Sequence, residues 1–141
     1  MDSVIILSHA ALTIAAILAG IQDWRKREVT DWLTWPLFIC GVVTASVAAV
    51  RLNFLPLVIS IFFLIAWYYG WMGGADVRVL VGLWGLWPLA GFLALLATGL
   101  WGLILILRKR GKERIPALVT TALAVCLTFL LDVARISLVK V

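Results

Sequence analysis

Apolar residues fill five long stretches of the chain that contain no Asp, Glu, Lys or Arg. These stretches cover residues 4–21, 33–50, 54–72, 79–107 and 115–131. A helix that crosses a bilayer needs about 20 predominantly apolar residues. Four of the stretches therefore each predict one transmembrane helix, and the stretch at 79–107 is too long for one.

The stretch at 79–107 predicts two helices. As a single helix it would be about 43 Å long, which exceeds the roughly 30 Å thickness of the hydrocarbon core of a bilayer. Pro88 lies inside it, and proline interrupts a helix because it lacks the backbone N–H. We expect a short helix from about Val79, a turn near residues 87–91 and a longer helix to Leu107, which makes six transmembrane helices.

The composition agrees with a membrane-embedded chain. Hydrophobic residues make up 65% of the sequence and charged residues only 13%, which excludes a soluble core covered by a polar surface. We predict an all-α, polytopic membrane protein with one domain over residues 1–141. The lipid bilayer is therefore one expected partner of the chain. The net charge of +5 does not predict nucleic-acid binding, because the basic residues lie in short segments at helix ends.

The basic residues predict which side of the membrane each segment faces. The segments after the first, third and fifth predicted helices hold nine of the twelve Lys and Arg residues. The nine are Arg25, Lys26, Arg27, Arg78, Arg108, Lys109, Arg110, Lys112 and Arg114. The positive-inside rule assigns such segments to the cytoplasm, so both termini are expected on the outer face.

Two aspartates are the leading candidates for chemistry, because ionisable groups in or beside a membrane span are costly. Asp23 and Asp76 each lie at the predicted cytoplasmic end of a span, and each is followed two residues later by an arginine. We expect them at matching depth, facing each other across the helix bundle. His9 is expected to be a packed or hydrogen-bonded side chain, and Cys40 and Cys126 to be buried packing thiols.

Two carboxylates that meet where water is scarce share one proton, because like-charge repulsion opposes the ionisation of both. Such a pair can hydrolyse an amide bond. The ionised member takes a proton from a water molecule, and the protonated member donates one to the carbonyl oxygen. This chemistry needs no metal and no cofactor, and neither is predicted.

Small residues precede the second aspartate. Gly73 and Gly74 either let an extended substrate approach the backbone closely or serve as packing positions between helices. The loop around residues 73–78 is expected to be mobile because of its glycines.

The segments around the two aspartates resemble those of type IV prepilin peptidases. Residues 23–31, D-W-R-K-R-E-V-T-D, are similar to the family's D-x-R-x-R-x-I-P-N, and residues 73–78, G-G-A-D-V-R, are similar to its G-x-G-D-x-K. The resemblance implies a membrane aspartyl endopeptidase with Asp23 and Asp76 as its catalytic pair. Residues implied to shape the site or contact the substrate are Gly73, Gly74, Ala75, Arg25, Arg27, Arg78 and Asp31.

By this resemblance, the substrates are prepilins or pilin-like proteins, whose short basic leader is removed at the cytoplasmic face of the inner membrane of a prokaryote. Larger members of the family carry an amino-terminal cytosolic domain with paired cysteines and combine cleavage with N-methylation. No such domain precedes the first span, so no methyltransferase activity is expected.

Two departures from the family pattern bear on the site. Ala75 replaces the second glycine, which would matter if that position needs a positive φ. Asp31 stands where the family often has asparagine, and a continuous helix would place Asp23, Arg27 and Asp31 at i, i+4 spacing, with Arg27 neutralising Asp31.

Two alternatives to an active peptidase remain open. One is a small proton- or cation-coupled transporter that uses the same two aspartates, and the other is an inactive scaffold. The sequence does not predict an oligomeric state.

Overall fold

Helices are the only regular secondary structure in the described part of the chain. The computed structural model describes residues 2–26, 28–108 and 117–139, which form six helices and no strand. The helices are α1 (Asp2–Lys26), α2 (Asp31–Val50), α3 (Leu55–Tyr68), α4 (Gly74–Leu86), α5 (Pro88–Leu107) and α6 (Ala117–Val139). The all-α prediction is confirmed for these residues.

Three of the helices are long and apolar enough to cross a membrane. They are Ile6–Lys26 in α1, Asp31–Val50 in α2 and Ala117–Arg135 in α6, while Leu55–Tyr68 and Pro88–Ile104 are shorter apolar helices. Large apolar side chains such as Leu7, Val58 and Leu100 are exposed on the outer surface. Apolar side chains on the outside are expected where lipid is the solvent, so the chain is a membrane protein.

The exposed apolar surface also corrects one prediction. Cys40 is exposed and Cys126 is only half-buried, so the prediction of two buried thiols is wrong for Cys40. In a membrane protein an apolar segment faces lipid as readily as it faces the core, and an apolar neighbourhood in the sequence therefore does not indicate burial.

The helices pack in two groups. Helices α2, α3 and α4 pack on one another, α1 and α5 pack on α6, and α4 also packs on α5. Helix α4 lies at the centre, since an unbroken run of residues from Val79 to Trp84 is buried. A helix that is apolar and buried all round is typical of the interior of a bundle.

Glycines bring α2 and α4 into very close contact. A Cβ atom added to Gly82 would lie 2.8 Å from the carbonyl oxygen of Leu37, and one added to Gly41 would lie 2.6 Å from the Cα of Gly82. Gly85 approaches Gly41 in the same way. Small residues at such positions let two helix backbones approach closely, so α2 fixes the position of α4.

Side-chain contacts show which helix ends meet. His9, early in α1, hydrogen-bonds to Asp132, late in α6, and stacks on Trp87, which follows α4. At the opposite end, Asp31 at the start of α2 pairs with Arg78 in the first turns of α4. We call these the histidine end and the aspartate end. Helices α1 and α3 end at the aspartate end, and α2, α4 and α6 begin there.

The division of the long apolar stretch is confirmed, but the start of its first helix is not. The break falls at Trp87 and Pro88, where the proline ring begins α5. Helix α4 begins at Gly74 and not near Val79, so most of the loop expected over residues 73–78 is helical. Gly73 is the N-cap, with φ −68° and ψ 147°, and a glycine is readily accommodated there.

The turn before α4 depends on a different glycine. Gly70 has φ +71°, its N–H donates to the carbonyl oxygen of Trp67, and the N–H of Trp71 donates to that of Ala66. This pair of hydrogen bonds is a Schellman motif, which ends a helix with a residue in the left-handed region. Gly70 therefore terminates α3 and sets the path of the chain into α4.

Candidate active site

Asp23 lies on the face of α1 that points into the bundle. Leu12, Ala16 and Ala19 are buried on this face, and Asp23 continues it by one more helical turn. Its Oδ2 atom is buried and has no hydrogen-bond partner among the described residues. A buried carboxylate oxygen without a donor is rare in a folded protein, which marks Asp23 as a candidate functional group.

Asp76 occupies the equivalent place on α4. It lies in the first turn of that helix, and the buried residues Leu80, Leu83 and Trp87 follow it at helical spacing on the same face. A Cβ atom on Gly73 would lie 2.9 Å from the Oδ2 of Asp76. Gly73 therefore leaves room for this carboxylate group, and any larger residue at the N-cap would displace it.

The inward faces of α1 and α4 come together where His9 contacts Trp87, and each face carries its aspartate near the opposite end. The rings of His9 and Trp87 stack with their centroids 3.9 Å apart. From this contact Asp23 lies about 21 Å along α1, and Asp76 lies about 17 Å along α4, at 1.5 Å per residue. The two aspartates therefore lie at the same end of the bundle and within about one helical turn in depth.

The aspartates also lie on different groups of helices. Asp23 belongs to α1, which packs mainly on α6, whereas Asp76 belongs to α4, which packs on α2, α3 and α5. The structure thus places both residues on inward faces at the aspartate end, but on helices that pack in different groups.

Asp31 pairs with an arginine that the sequence did not indicate. The Nη1 atom of Arg78 donates to Asp31 Oδ1 and, at 3.4 Å, to the Oγ1 of Thr34. The guanidinium group also lies over the ring of Trp35, 4.4 Å from its centroid. These contacts hold the first turns of α2 and α4 together, two residues from Asp76.

The expected i, i+4 series of Asp23, Arg27 and Asp31 on one continuous helix is therefore wrong. Helix α1 ends at Lys26, and Thr30 is the extended N-cap of α2, with φ −66° and ψ 136°. Asp31 begins a new helix, so Asp23 and Asp31 do not share one helical face. Arg27 lies outside the described residues, as does the basic segment 109–114.

Gln22 and Thr30 form a positioning contact that sequence reasoning missed. The Oε1 atom of Gln22 accepts hydrogen bonds from the backbone N–H of Thr30 at 3.1 Å and from its hydroxyl group at 2.9 Å. This contact closes the turn between α1 and α2 next to Asp23. The only sequence signal was the threonine before an apolar helix, which predicts an N-cap but not its partner.

The other two small residues of the second segment have ordinary packing roles. A Cβ atom on Gly74 would lie 3.3 Å from the indole Nε1 of Trp67. Ala75 is helical and packs against the buried core. Among the described residues, positive φ values occur at Gly70 and Leu52, so Ala75 does not need the backbone freedom of a glycine.

Arg25 faces away from the interior. It lies in the last turn of α1 and, with Trp24, lines an open groove of about 480 Å³ between α1 and α6. Because one residue of a helix turns the side chain by about 100°, Arg25 and Asp23 project from different faces. Arg25 therefore shapes the outer surface near the site and not its interior.

A belt of exposed aromatic side chains surrounds the aspartate end. Its members are Trp24, Trp32, Trp35, Trp67, Tyr68, Tyr69 and Trp71. Tryptophan and tyrosine are enriched where a membrane protein passes from lipid to water. This belt of aromatic side chains lies at the same end of the bundle as Asp23 and Asp76, as expected of residues near a membrane surface.

The comparisons with known proteins place this arrangement in one family. No curated protein and no solved structure matched the chain. The type IV leader peptidase family matches residues 10–131. This region contains both Asp23 and Asp76, whereas His9 and Asp132 lie just outside it. This match covers most of the sequence, and the chain therefore belongs to the type IV leader peptidase family.

Proposed function

We propose that this peptidase is a membrane aspartyl endopeptidase that removes the short basic leader of prepilins or pilin-like proteins. The observation that carries the proposal is the position of Asp23 and Asp76 on the inward faces of α1 and α4 at the same end of the bundle. Membership of a leader peptidase family supports this substrate class.

The reaction follows from two carboxyl groups on either side of a peptide bond. The ionised carboxylate removes a proton from a water molecule while the water oxygen bonds to the peptide carbonyl carbon. The protonated carboxyl group donates its proton to the carbonyl oxygen. When the tetrahedral intermediate collapses, the C–N bond breaks and the leaving amine takes a proton from the first carboxyl group. One hydroxyl group of the intermediate becomes the new carbonyl group and returns its proton to the second carboxylate. One water molecule is consumed, and the pair recovers its shared proton.

Contacts within the site suit this reaction. The buried Oδ2 of Asp23 lacks a hydrogen-bond donor among the described residues, and the attacking water or a protonated Asp76 would provide one. Arg78, bound by Asp31, holds the first turns of α4 against α2. Holding catalytic groups in fixed positions contributes a large part of the rate of an enzyme.

The proposal includes a membrane topology. The aspartate end faces the cytoplasm of a prokaryote, six helices cross or enter the inner membrane, and both termini lie on the outer face. The positions of Arg25, Lys26 and Arg78 at the aspartate end support this orientation under the positive-inside rule. The substrate's apolar helix would stay in the bilayer while its basic leader lies in the cytoplasm.

A transporter that uses the same aspartates is less well supported. Transport sites usually lie near the middle of the membrane, whereas Asp23 lies in the last turn of α1 and Asp76 in the first turn of α4. Proton uptake that depends on these aspartates, in vesicles and without any cleavage, would favour the transporter.

The proposed function is tested by leader removal. The protein is co-expressed with a prepilin, and the shortening of the prepilin is followed on a gel for the parent and for Asp23→Asn and Asp76→Asn. We expect each variant to slow cleavage by at least about a hundredfold, since each removes an acid–base group. Asp132→Asn, at the histidine end, is the matched control and should cleave normally. Cleavage that survives both substitutions would contradict the proposal.

A further inference from the structure

The groove between α1 and α6 is a second feature of the aspartate end, separate from the aspartate pair. It has a volume of about 480 Å³ and is open on one side. Residues on both helices line it, among them Ile17, Gly20, Ile21, Arg25, Ala122 and Leu123. It runs about 12 Å along α1, from Arg25 near the membrane surface to Ile17.

The floor and walls of the groove are apolar. Gly20 forms part of the floor, where a Cβ atom would lie 3.0 Å from the Cβ of Ala122 and 3.1 Å from the carbonyl oxygen of Leu118. Ile21 and Leu123 form walls that are 48% and 67% exposed. These surfaces suit a narrow, flexible, apolar occupant that enters from the surrounding lipid.

The mouth of the groove carries a cation. Arg25 is the one charged residue that lines it, and this arginine forms no ion pair with a described residue. Its guanidinium group offers a planar set of donors that fits a phosphate group. Trp24 lies beside it and is 66% exposed, as expected of a side chain at the level of lipid headgroups.

We infer that this groove is a binding site for a phospholipid. One acyl chain lies between α1 and α6 against Ile21 and Leu123, and the phosphate group lies at Arg25. Basic pockets between transmembrane helices on the cytoplasmic side bind anionic headgroups, so a lipid with a net negative headgroup, such as phosphatidylglycerol, is preferred over phosphatidylcholine.

A second groove of the bundle provides a contrast. It has a volume of about 290 Å³ and lies between α1 and α2, where its lining includes Leu12, Leu37 and Cys40 but no charged residue. It offers an acyl chain a surface but gives a headgroup no counter-charge. Of the two grooves, only the α1/α6 groove combines an apolar surface for an acyl chain with a counter-charge for a headgroup.

The inference is tested on the full chain by native mass spectrometry, independently of its peptidase activity. The protein is purified in a mild detergent and titrated with phosphatidylglycerol or phosphatidylcholine, and bound lipids are counted. Arg25→Gln should weaken binding of phosphatidylglycerol about tenfold, because it removes charged hydrogen-bond donors from the phosphate group. Lys26→Gln removes the same charge from the next residue, outside the groove lining, and should bind as the parent does.

The apolar part of the groove has its own pair of variants. Leu123→Trp fills the α1/α6 groove and should remove the tightest-bound lipid, whereas Cys40→Trp fills the α1/α2 groove and should retain it. Both positions lie at an exposed surface or groove, so folding should be preserved in both.

Three results would overturn the inference. The first is equal binding by Arg25→Gln and Lys26→Gln, and the second is retention of lipid by Leu123→Trp. The third concerns a photo-crosslinking amino acid placed at Leu123. If it captures a co-expressed prepilin and no lipid, the groove receives a protein helix. If it captures phospholipid in membranes that contain no prepilin, the lipid site is supported.

Discussion

Asp132 at the histidine end and Asp23 at the aspartate end differ in their hydrogen bonding. At the histidine end, Asp132 accepts a hydrogen bond from His9 at 3.1 Å, and the imidazole ring stacks on Trp87. Helices α1 and α6 and the end of α4 are thereby joined. At the aspartate end, Asp23 has a buried oxygen without a partner among the described residues, and α1 and α4 present their carboxylate groups from different groups of helices.

This difference separates a structural acid from a candidate catalytic one. The carboxylate group of Asp132 is bound by His9, a residue of the fold, and this pair contributes to packing. A buried carboxylate oxygen that lacks a donor costs free energy, and proteins tolerate that cost mainly at functional sites. Asp31 is the intermediate case, because it lies at the aspartate end but is occupied by Arg78.

The largest expected effect comes from separating α4 from α2. In Gly82→Val the new side chain would meet the backbone of Leu37, because a Cβ atom there already lies 2.8 Å from the Leu37 carbonyl oxygen. We expect a loss of about 1–3 kcal/mol of folding free energy from overpacking, together with the loss of leader cleavage as Asp76 moves.

The control for this change is another glycine of the bundle. A Cβ atom on Gly99 in α5 meets nothing within 4 Å, so Gly99→Val should keep both its thermal stability in detergent and its cleavage rate. Equal behaviour of the two variants would mean that the close contact of α2 with α4 does not position Asp76.

The next effect concerns the ion pair beside Asp76. Arg78→Met removes the contacts with Asp31, Thr34 and Trp35. We expect kcat for leader removal to fall by about tenfold to a hundredfold, because a small displacement of a catalytic group has effects of this size, while KM changes little. Arg78→Lys keeps the charge and should recover part of the rate.

Exchanging the two charges sharpens this test. The double variant with Asp31→Arg and Arg78→Asp restores an ion pair but loses the stacking on Trp35. Its kcat should exceed that of Arg78→Met. If instead KM rises and kcat stays constant in Arg78→Met, then Arg78 binds the substrate and does not position Asp76.

The smallest effect on cleavage is expected at the histidine end. His9→Phe keeps an aromatic ring against Trp87 but loses the hydrogen bond to Asp132. Loss of one hydrogen bond lowers the free energy of unfolding by about 1 kcal/mol, which thermal denaturation in detergent would detect. Leader cleavage at low temperature should match the parent. A hundredfold loss would show that the histidine end takes part in the chemistry.

Local sequence signals predicted much of the helix pattern. Pro88 divides the long apolar stretch because a proline ring cannot continue a helix, and the structure has its break there. The start of α4 at Gly74 was not predictable in the same way. Two adjacent glycines indicate a loop by propensity, whereas in the structure Gly73 is the extended N-cap and Gly74 is the first residue of α4, which packs among α2, α3 and α5.

Contacts between distant residues explain why the site was only partly predicted. The positions of Asp23 and Asp76 at span ends could be predicted from apolar stretches and basic residues. The partner of Asp31 could not, because Arg78 lies 47 residues away on another helix and is brought there by the glycine contacts of α2 with α4. The sequence favoured Arg27, since a single helix reveals only the proximity of residues three or four positions apart.

The central claim is that Asp23 and Asp76 act as one unit, and a double-mutant cycle on leader cleavage tests it most directly. Rates are measured on one purified prepilin with the parent, Asp23→Asn, Asp76→Asn and the double variant. Residues that act as a unit have strongly non-additive effects, so the double variant should be about as slow as either single variant. Independent losses that multiply in the double variant, or normal cleavage by either single variant, would contradict the account.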